Sequence, residues 1–259
     1  YQGLVTTRDS ILKHLESPAV QAMESFGIQT GYDYLKKLGF STLVEKQEDM
    51  DGNVISDVSL SLASGNLVNG VSNLDLTAAY GVLANEGKSV KPIFYTKLVD
   101  TNGNLLFKNE QKSSQLLETA SACLITNVLR EYIETGAGKA ADLGIEKLPA
   151  AGYGASTKGN KDQWFTGYTP YYTAGIWCGY DDSGMITSDI SCETLWKQIM
   201  KQVHSTKKIE KGSFKIPDDI VACNICTKCG KLAVEDLCNQ ALSGDTVRRE
   251  YFVSGTQPT

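Results

Sequence analysis

Apolar positions along the chain keep two different spacings. Up to about residue 39, and again over 73–86, 114–134 and 191–204, they recur every three or four residues, the spacing of one helix face. The first helical stretch carries Ile11, Leu12, Leu15, Val20 and Met23, with Pro18 placed to kink or divide it. The later helices are predicted to bury Leu74, Ala78 and Val82; Leu117, Ala120, Leu124 and Val128; and Leu195, Ile199 and Val203. Thr6/Asp9, Thr30/Asp33 and Ser72/Asp75 each fit a capping box, and Gly27, Gly39 and Gly87 stand where helices should stop. Strands are predicted at 93–99 and 105–107, around the hairpin signal Asn102-Gly103.

Between 148 and 182 the helical spacing disappears. Residues 149–157 are small enough to lie flat beside another backbone, 158–162 form a polar turn, and 164–168 and 172–180 are aromatic and β-branched. Such short joins predict an antiparallel meander of three strands, with the small-residue strand open to a ligand. Residues 45–58 read as a surface loop. Asp49-Met50-Asp51-Gly52-Asn53 partly matches a calcium loop but lacks the later ligands and the terminal glutamate.

With 259 residues the chain can bury a full core. A net charge of −5 without any basic block excludes nucleic acid as partner. No apolar run approaches the ~18 residues that span a bilayer. The chain opens at Tyr1-Gln2-Gly3 without methionine and reads as a piece of a longer protein whose membrane anchor would lie upstream. With only His14 and His204 present, histidine-rich metal sites and most histidine triads are disfavoured.

The 148–182 stretch resembles the third to fifth strands of the transpeptidase domain of class A (bifunctional) penicillin-binding proteins. Ala151-Gly152, Asp162, Trp164-Phe165, Gly167-Tyr168-Thr169-Pro170, Trp177 and Gly179-Tyr180-Asp181-Asp182 fit that pattern without a gap. Outside it, 59–87, Thr135-Gly136-Ala137-Gly138-Lys139, Glu250-Tyr251-Phe252 and 255–259 match further family segments in the right order. The resemblance implies an α+β fold, an antiparallel sheet flanked by helices as in penicillin-binding transpeptidases and serine β-lactamases. The first strands and the nucleophile helix would be missing from this chain. Residues 1–212 would form the transpeptidase-like domain and 213–259 a cysteine-containing C-terminal β tail.

Enzymes of this class use a Ser-x-x-K nucleophile helix, a Ser-x-Asn loop and a Lys-Thr-Gly strand. Counting back from Asp162 puts Tyr153 at the lysine, Gly154 and Ala155 at the threonine and glycine, and Ser156 at the next threonine, with Thr157 following. Pro18-Ala19-Val20 sets the register of the second motif, giving His14 the serine position and Glu16 the asparagine position. A phenol cannot attract a carboxylate as a lysine does, and an ionised glutamate cannot donate to a substrate carbonyl. Ser10-Ile11-Leu12-Lys13 and Ser205-Thr206-Lys207-Lys208 are literal Ser-x-x-K matches, and Ser64-Gly65-Asn66 a literal Ser-x-Asn. By position the first is a helix turn, the second a charged connector and the third a turn.

Cys223, Cys226, Cys229 and Cys238 form C-x2-C-x2-C-x8-C. This spacing suits a structural zinc site, and outside the cytoplasm a disulfide competes with it. The family resemblance implies the pair Cys226 and Cys238; disulfide, zinc and free thiols all stay open. Cys123, Cys178 and Cys192 read as small core residues. Together these readings describe an impaired D,D-transpeptidase domain of a peptidoglycan synthase on the outer face of the cytoplasmic membrane. It would bind stem peptide along Gly154, Ala155, Ser156 and Thr157, and β-lactams weakly if at all. The alternatives are an active transpeptidase with its nucleophile upstream of this chain, and a stem-peptide binding or protein-interaction module.

Overall fold

The computed structural model describes every residue except 1, 2, 4, 183, 188–190, 210, 235, 236, 239 and 241–245. Capping sets where the helices begin. The Thr6 hydroxyl accepts from the Asp9 amide at 3.1 Å and opens α1 (Thr7–Leu12). The chain then breaks at His14, whose φ is 52°, before α2 (Glu16–Phe26). The division thus falls ahead of Pro18, which sits in the first turn of α2, where no helical acceptor needs its amide. Gly27 closes α2 and starts α3 (Ile28–Leu38), so Thr30 already lies inside a helix and caps nothing, contrary to the capping-box reading. Gly39 ends α3 in the left-handed region.

Residues 45–58 form a small hairpin, β1 (Gln47–Glu48) and β2 (Val54–Ile55). Its turn is closed by Asp49 Oδ1, which accepts from the amides of Asp51 at 2.9 Å and Asn53 at 2.8 Å. The carboxylate serves its own turn, which replaces the calcium-loop reading. A 3-10 turn over Leu60–Ser64 leads to α4 (Asn73–Ala84), capped by Ser72 through the Asp75 amide. Next come β3 (Lys88–Val90), β4 (Lys97–Val99), β5 (Leu105–Lys108) and β6 (Ser113–Gln115). The β4–β5 turn repeats the Asp49 geometry at Asp100. Because β6 pairs with β3, α5 (Thr119–Glu134) begins five residues later than its apolar pattern predicts.

The predicted meander is present: β7 (Ala151–Ser156), β8 (Asp162–Tyr168) and β9 (Thr173–Gly179) pair antiparallel in that order, with Tyr153 opposite Thr166 and Trp164 opposite Trp177. α6 (Cys192–Lys207) packs along one face of this sheet, from the Gln163 carbonyl, which accepts from Cys192 Sγ, to the Thr169 hydroxyl beside His204. The buried face of α6 is Cys192, Trp196, Met200 and His204, not the predicted Leu195, Ile199 and Val203; Ile199 is 45% exposed. The aliphatic pattern misplaced the stripe because the ring of Trp196 dominates the packing. It meets Phe165 edge-on at 5.3 Å and its Nε1 donates to the Ala174 carbonyl at 3.0 Å. His204 is a satisfied core histidine between the Thr169 hydroxyl and the Met200 carbonyl. The same shift occurs elsewhere: Leu74 is exposed while Ala79 and Val82 are buried in α4, and α5 buries Ala122, Thr126, Leu129, Tyr132 and Ile133 along with Ala120 and Val128.

The tail contributes β10 (Ile220–Cys226) and β11 (Val247–Val253), an antiparallel pair. An ion cluster ties this pair to the other end of the chain. Arg8, only 6% exposed, hydrogen bonds Glu131 at 2.7 Å, Asn127 at 2.7 Å and both carboxylate oxygens of Glu250. Arg248 of β11 reaches back to Asp9 at 2.8 Å. Burial opposes the charge on Arg8, but the partners outweigh it and raise its pKa. Asp9 is held below the usual carboxylate range, the Arg248 contact overcoming its own burial. Removing one member of such a cluster strands the others. Arg8→Ala should therefore destabilise the chain by about 3 kcal/mol in urea unfolding, and adding Glu250→Gln should recover part of the loss. A cost near zero would show that the cluster holds nothing together.

Candidate functional site

A cleft of about 760 Å³ opens where α1, the start of α2 and α5 meet β7. The motif-equivalent positions His14, Glu16 and Tyr153 all line it, together with Gly154, Ala155 and Ser156 of the small-residue strand. The fold thus brings together residues that the sequence separates by more than a hundred positions. Among the described residues β7 pairs only with β8, so its other edge has no strand partner there. Thr157 does not join the group: it lies in the turn, its amide donating to the Asp162 carbonyl and its hydroxyl bonded to the Asp162 carboxylate at 3.1 Å.

The centre of the cleft is a stack of rings. Tyr153 projects toward α1, and its hydroxyl donates to the Ile11 carbonyl at 3.2 Å. The His14 ring lies on that of Tyr153, centroids 4.5 Å apart and 21° from parallel. His14 Nε2 meets the Tyr132 hydroxyl at 3.0 Å, and Tyr132 also packs against Tyr153 at 4.8 Å. Gly138 makes room for Tyr132, since a Cβ there would run into its ring. His14 keeps an exposed side, but its ring is partly desolvated against the two tyrosines, which pushes its pKa down, partly opposed by the Glu193 carboxylate. Burial raises the Tyr153 phenol and, reinforced by Glu193, carries that of Tyr132 to about 12. At neutral pH the stack is uncharged: two phenols and a neutral imidazole.

Tyr132 and Glu193 carry no signal of this role in the sequence. Tyr132 reads as one more apolar position of α5, and Glu193 as an acidic residue in the first turn of α6. Only the tertiary fold points them at His14. Among the other motif matches, Ser10 reaches the cleft wall, but its hydroxyl donates to the Thr7 carbonyl at 2.9 Å and Lys13 is exposed outside the cleft lining. Ser64 also borders the cleft, at the end of the 3-10 turn, with its hydroxyl on the Ser61 carbonyl. Ser205 and Lys208 lie at the end of α6, outside the cleft lining.

The seven cysteines are free thiols. Cys192 is buried, and Cys123 and Cys178 are half-buried. In the tail, Cys223 and Cys226 stand three apart on β10 and so face opposite sides of the strand. Cys226 and Cys238 are buried and meet through Thr246, whose hydroxyl donates to the Cys238 carbonyl at 2.7 Å and lies 3.6 Å from Cys226 Sγ. The Cys229 amide, the Thr246 hydroxyl and the Lys228 amide lower the Cys226 pKa to about 6. Among the described residues, no three His, Cys, Asp or Glu side chains gather into a group able to hold a metal.

Comparison with known proteins decides the family. The family described as "Penicillin binding protein transpeptidase domain" matches residues 1–179, and "Penicillin-binding protein 1A, C-terminal domain" matches 216–259. The chain belongs to the penicillin-binding-protein transpeptidase family. Penicillin-binding protein 1A of Clostridium tetani is 30% identical over 269 residues, which take in 100% of this chain and 32% of that protein. Penicillin-binding protein 1A/1B of Bacillus subtilis is 28% identical over 275 residues, 100% of this chain and 28% of its own. The chain therefore spans about a third of the length of these class A relatives.

Solved structures agree on the fold. Penicillin-binding protein 1A from Haemophilus influenzae superposes with a TM-score of 0.79 at 21% identity, covering 100% of this chain and 41% of that one. The PonA1 protein from Mycobacterium tuberculosis, solved in complex with penicillin V, gives 0.67 at 20% identity over 82% of this chain and 58% of that one. The α+β transpeptidase fold expected from the sequence is thus the fold observed.

The ring stack makes a pH prediction for this transpeptidase-family cleft. His14 should titrate below 6.5 by NMR. Because Glu193 props its pKa up, Glu193→Gln should lower it further. A depressed folded-state pKa means that the His14 contribution to stability is complete above 6.5 and is lost as pH falls. The melting temperature should therefore drop less between pH 7 and pH 5 in His14→Gln than in the parent. A His14 titrating at or above its ordinary value would contradict the desolvated stack.

Proposed function

We propose that this transpeptidase-family domain belongs to a peptidoglycan synthase and holds peptide along the edge of β7 without efficient acyl transfer. The observation that carries this reading is Tyr153. At the position where the family places a lysine stands a phenol, bonded to the Ile11 carbonyl and covered by His14. No Lys or Arg lines the cleft among the described residues. A substrate carboxylate would find no cation there, and the neutral His14 imidazole meets a phenol rather than a serine. What remains is a slim strand edge, Gly154, Ala155 and Ser156, whose main-chain groups can pair with an extended peptide. On this reading the domain works at the outer face of the cytoplasmic membrane, as its cell-wall-synthesis relatives suggest.

Labelling of the full-length protein with a fluorescent penicillin tests this. The expected result is no stoichiometric acyl-enzyme in the natural protein. Reverting His14→Ser, Glu16→Asn and Tyr153→Lys together should bring labelling up. Stoichiometric labelling of the unaltered protein would overturn the proposal in favour of an active D,D-transpeptidase using altered groups. A stem peptide should bind saturably, and Ala155→Trp should abolish that binding by filling the strand edge.

A further inference from the structure

A second cavity, of about 210 Å³, opens between α4, α5 and the tail, and it shares no lining residue with the cleft beside β7. Its apolar wall is built from Leu83 of α4, Leu124 of α5, and Phe214, Ile216 and Tyr251 of the tail. The Phe214 ring is held in place by Tyr168, which it meets edge-on at 5.6 Å. Packed cores leave few voids larger than one water, and this one has room for several.

The polar groups of the wall are short of acceptors. Arg130 Nε is shut from solvent without a hydrogen-bond acceptor; Glu134 Oε1 lies 3.0 Å away as an ion-pair partner but is not aligned to accept. Asn127 commits its carbonyl oxygen to Arg8 at 2.7 Å, and among the described residues nothing accepts from its amide group. These two residues stand three apart on α5, on one face of the helix, so one head group can meet both. The lining holds two cations, Arg130 and Lys215, against one carboxylate, Glu86, which Lys215 pairs at 3.0 Å. Cys123, also in the wall, stays protonated, because burial reinforced by Asp219 pushes its thiol up. Water would serve the donors but wet the apolar side chains, whereas an apolar acid satisfies both.

We propose that this cavity binds a small apolar monocarboxylate, its head on Arg130 and Asn127 and its body against Leu83, Leu124 and Phe214. A few placed donors in a mostly apolar hollow are the usual make-up of a small-molecule site. The walls come from α4 and α5 on one side and from residues 214–216 and β11 on the other. A bound acid therefore also ties the tail to the two helices. The site stands or falls independently of the peptide reading of the cleft.

NMR titration of the 259-residue chain with benzoate, benzamide and benzylammonium, followed on the methyl resonances of Leu83, Leu124 and Ile216, tests this. Benzoate should bind about 10-fold more tightly than benzamide, the scale of one charge-assisted hydrogen bond over a neutral one. Benzylammonium should bind more weakly than either. Arg130→Gln should remove most of the benzoate preference, and Leu124→Trp should abolish binding by filling the space. Melting curves report whether each variant keeps its fold, and Ala84→Leu fills the same space should Leu124→Trp lose it. Benzoate should also raise the melting temperature of the parent chain, since it binds only the folded form. Absence of benzoate binding, equal binding of benzoate and benzamide, or a preference unchanged in Arg130→Gln overturns the proposal. So do benzoate-induced shifts confined to the cleft around Tyr153.

Discussion

The pairing of β7 with β8 is the constraint from which the rest follows. It sets Tyr153 opposite Thr166 and makes the side chains of β7 alternate across the sheet. Gly152 and Gly154 face the side where a Cβ would come within 2.9 Å and 3.1 Å of the Phe165 ring. At 152 a Cβ would also meet the backbone of Gly167 at 2.7 Å and of Thr166 at 2.8 Å, so only glycine fits there, whereas at 154 the closest atom is the end of the Glu193 side chain. A slip of one residue would drive the Tyr153 ring into Phe165 and Trp196, two fully buried rings of the core. The same glycines that fix the register therefore fix the phenol in the cleft, and Gly154 also admits Glu193. Structure and chemistry share one cause here.

A second constraint keeps the walls of the cleft in place. α1 carries Ile11 and leads into His14, yet it is a short helix, six residues long, with little intrinsic stability. Arg8 anchors it to α5 and β11, and Arg248 anchors it again through Asp9. The two ends of the chain thus meet behind the cleft, and the carbonyl that receives the Tyr153 hydroxyl is held by an ion cluster drawn from the C-terminal strand. The tail is part of the scaffold of the site rather than an ornament to it.

Much of this was legible in the residues. The change from helical to alternating spacing marked the meander, and the polar turn at 158–162 set the frame that places Tyr153. Thr6 and Ser72 announced their helices because their hydroxyls had an amide three residues on to bind. Thr30 misled because Gly27 had already started α3. Helix faces were the weakest reading. Counting aliphatic residues could not anticipate that Trp196, His204 and Tyr132, residues with a polar handle, would be buried once a carbonyl, a hydroxyl and an imidazole nitrogen were supplied as their partners. Glu193 could not be found at all, since its meaning depends on a glycine in another element.

The central claim is that an uncharged phenol stands under His14 where the family keeps a cation. The ring-current shift of the His14 carbon-bound protons measures this directly, since a ring 4.5 Å away and nearly parallel must displace them upfield. The account predicts clearly upfield resonances in the natural chain that return toward ordinary histidine values in Tyr153→Leu. Resonances at ordinary values that do not respond to that substitution would place the phenol elsewhere and contradict it.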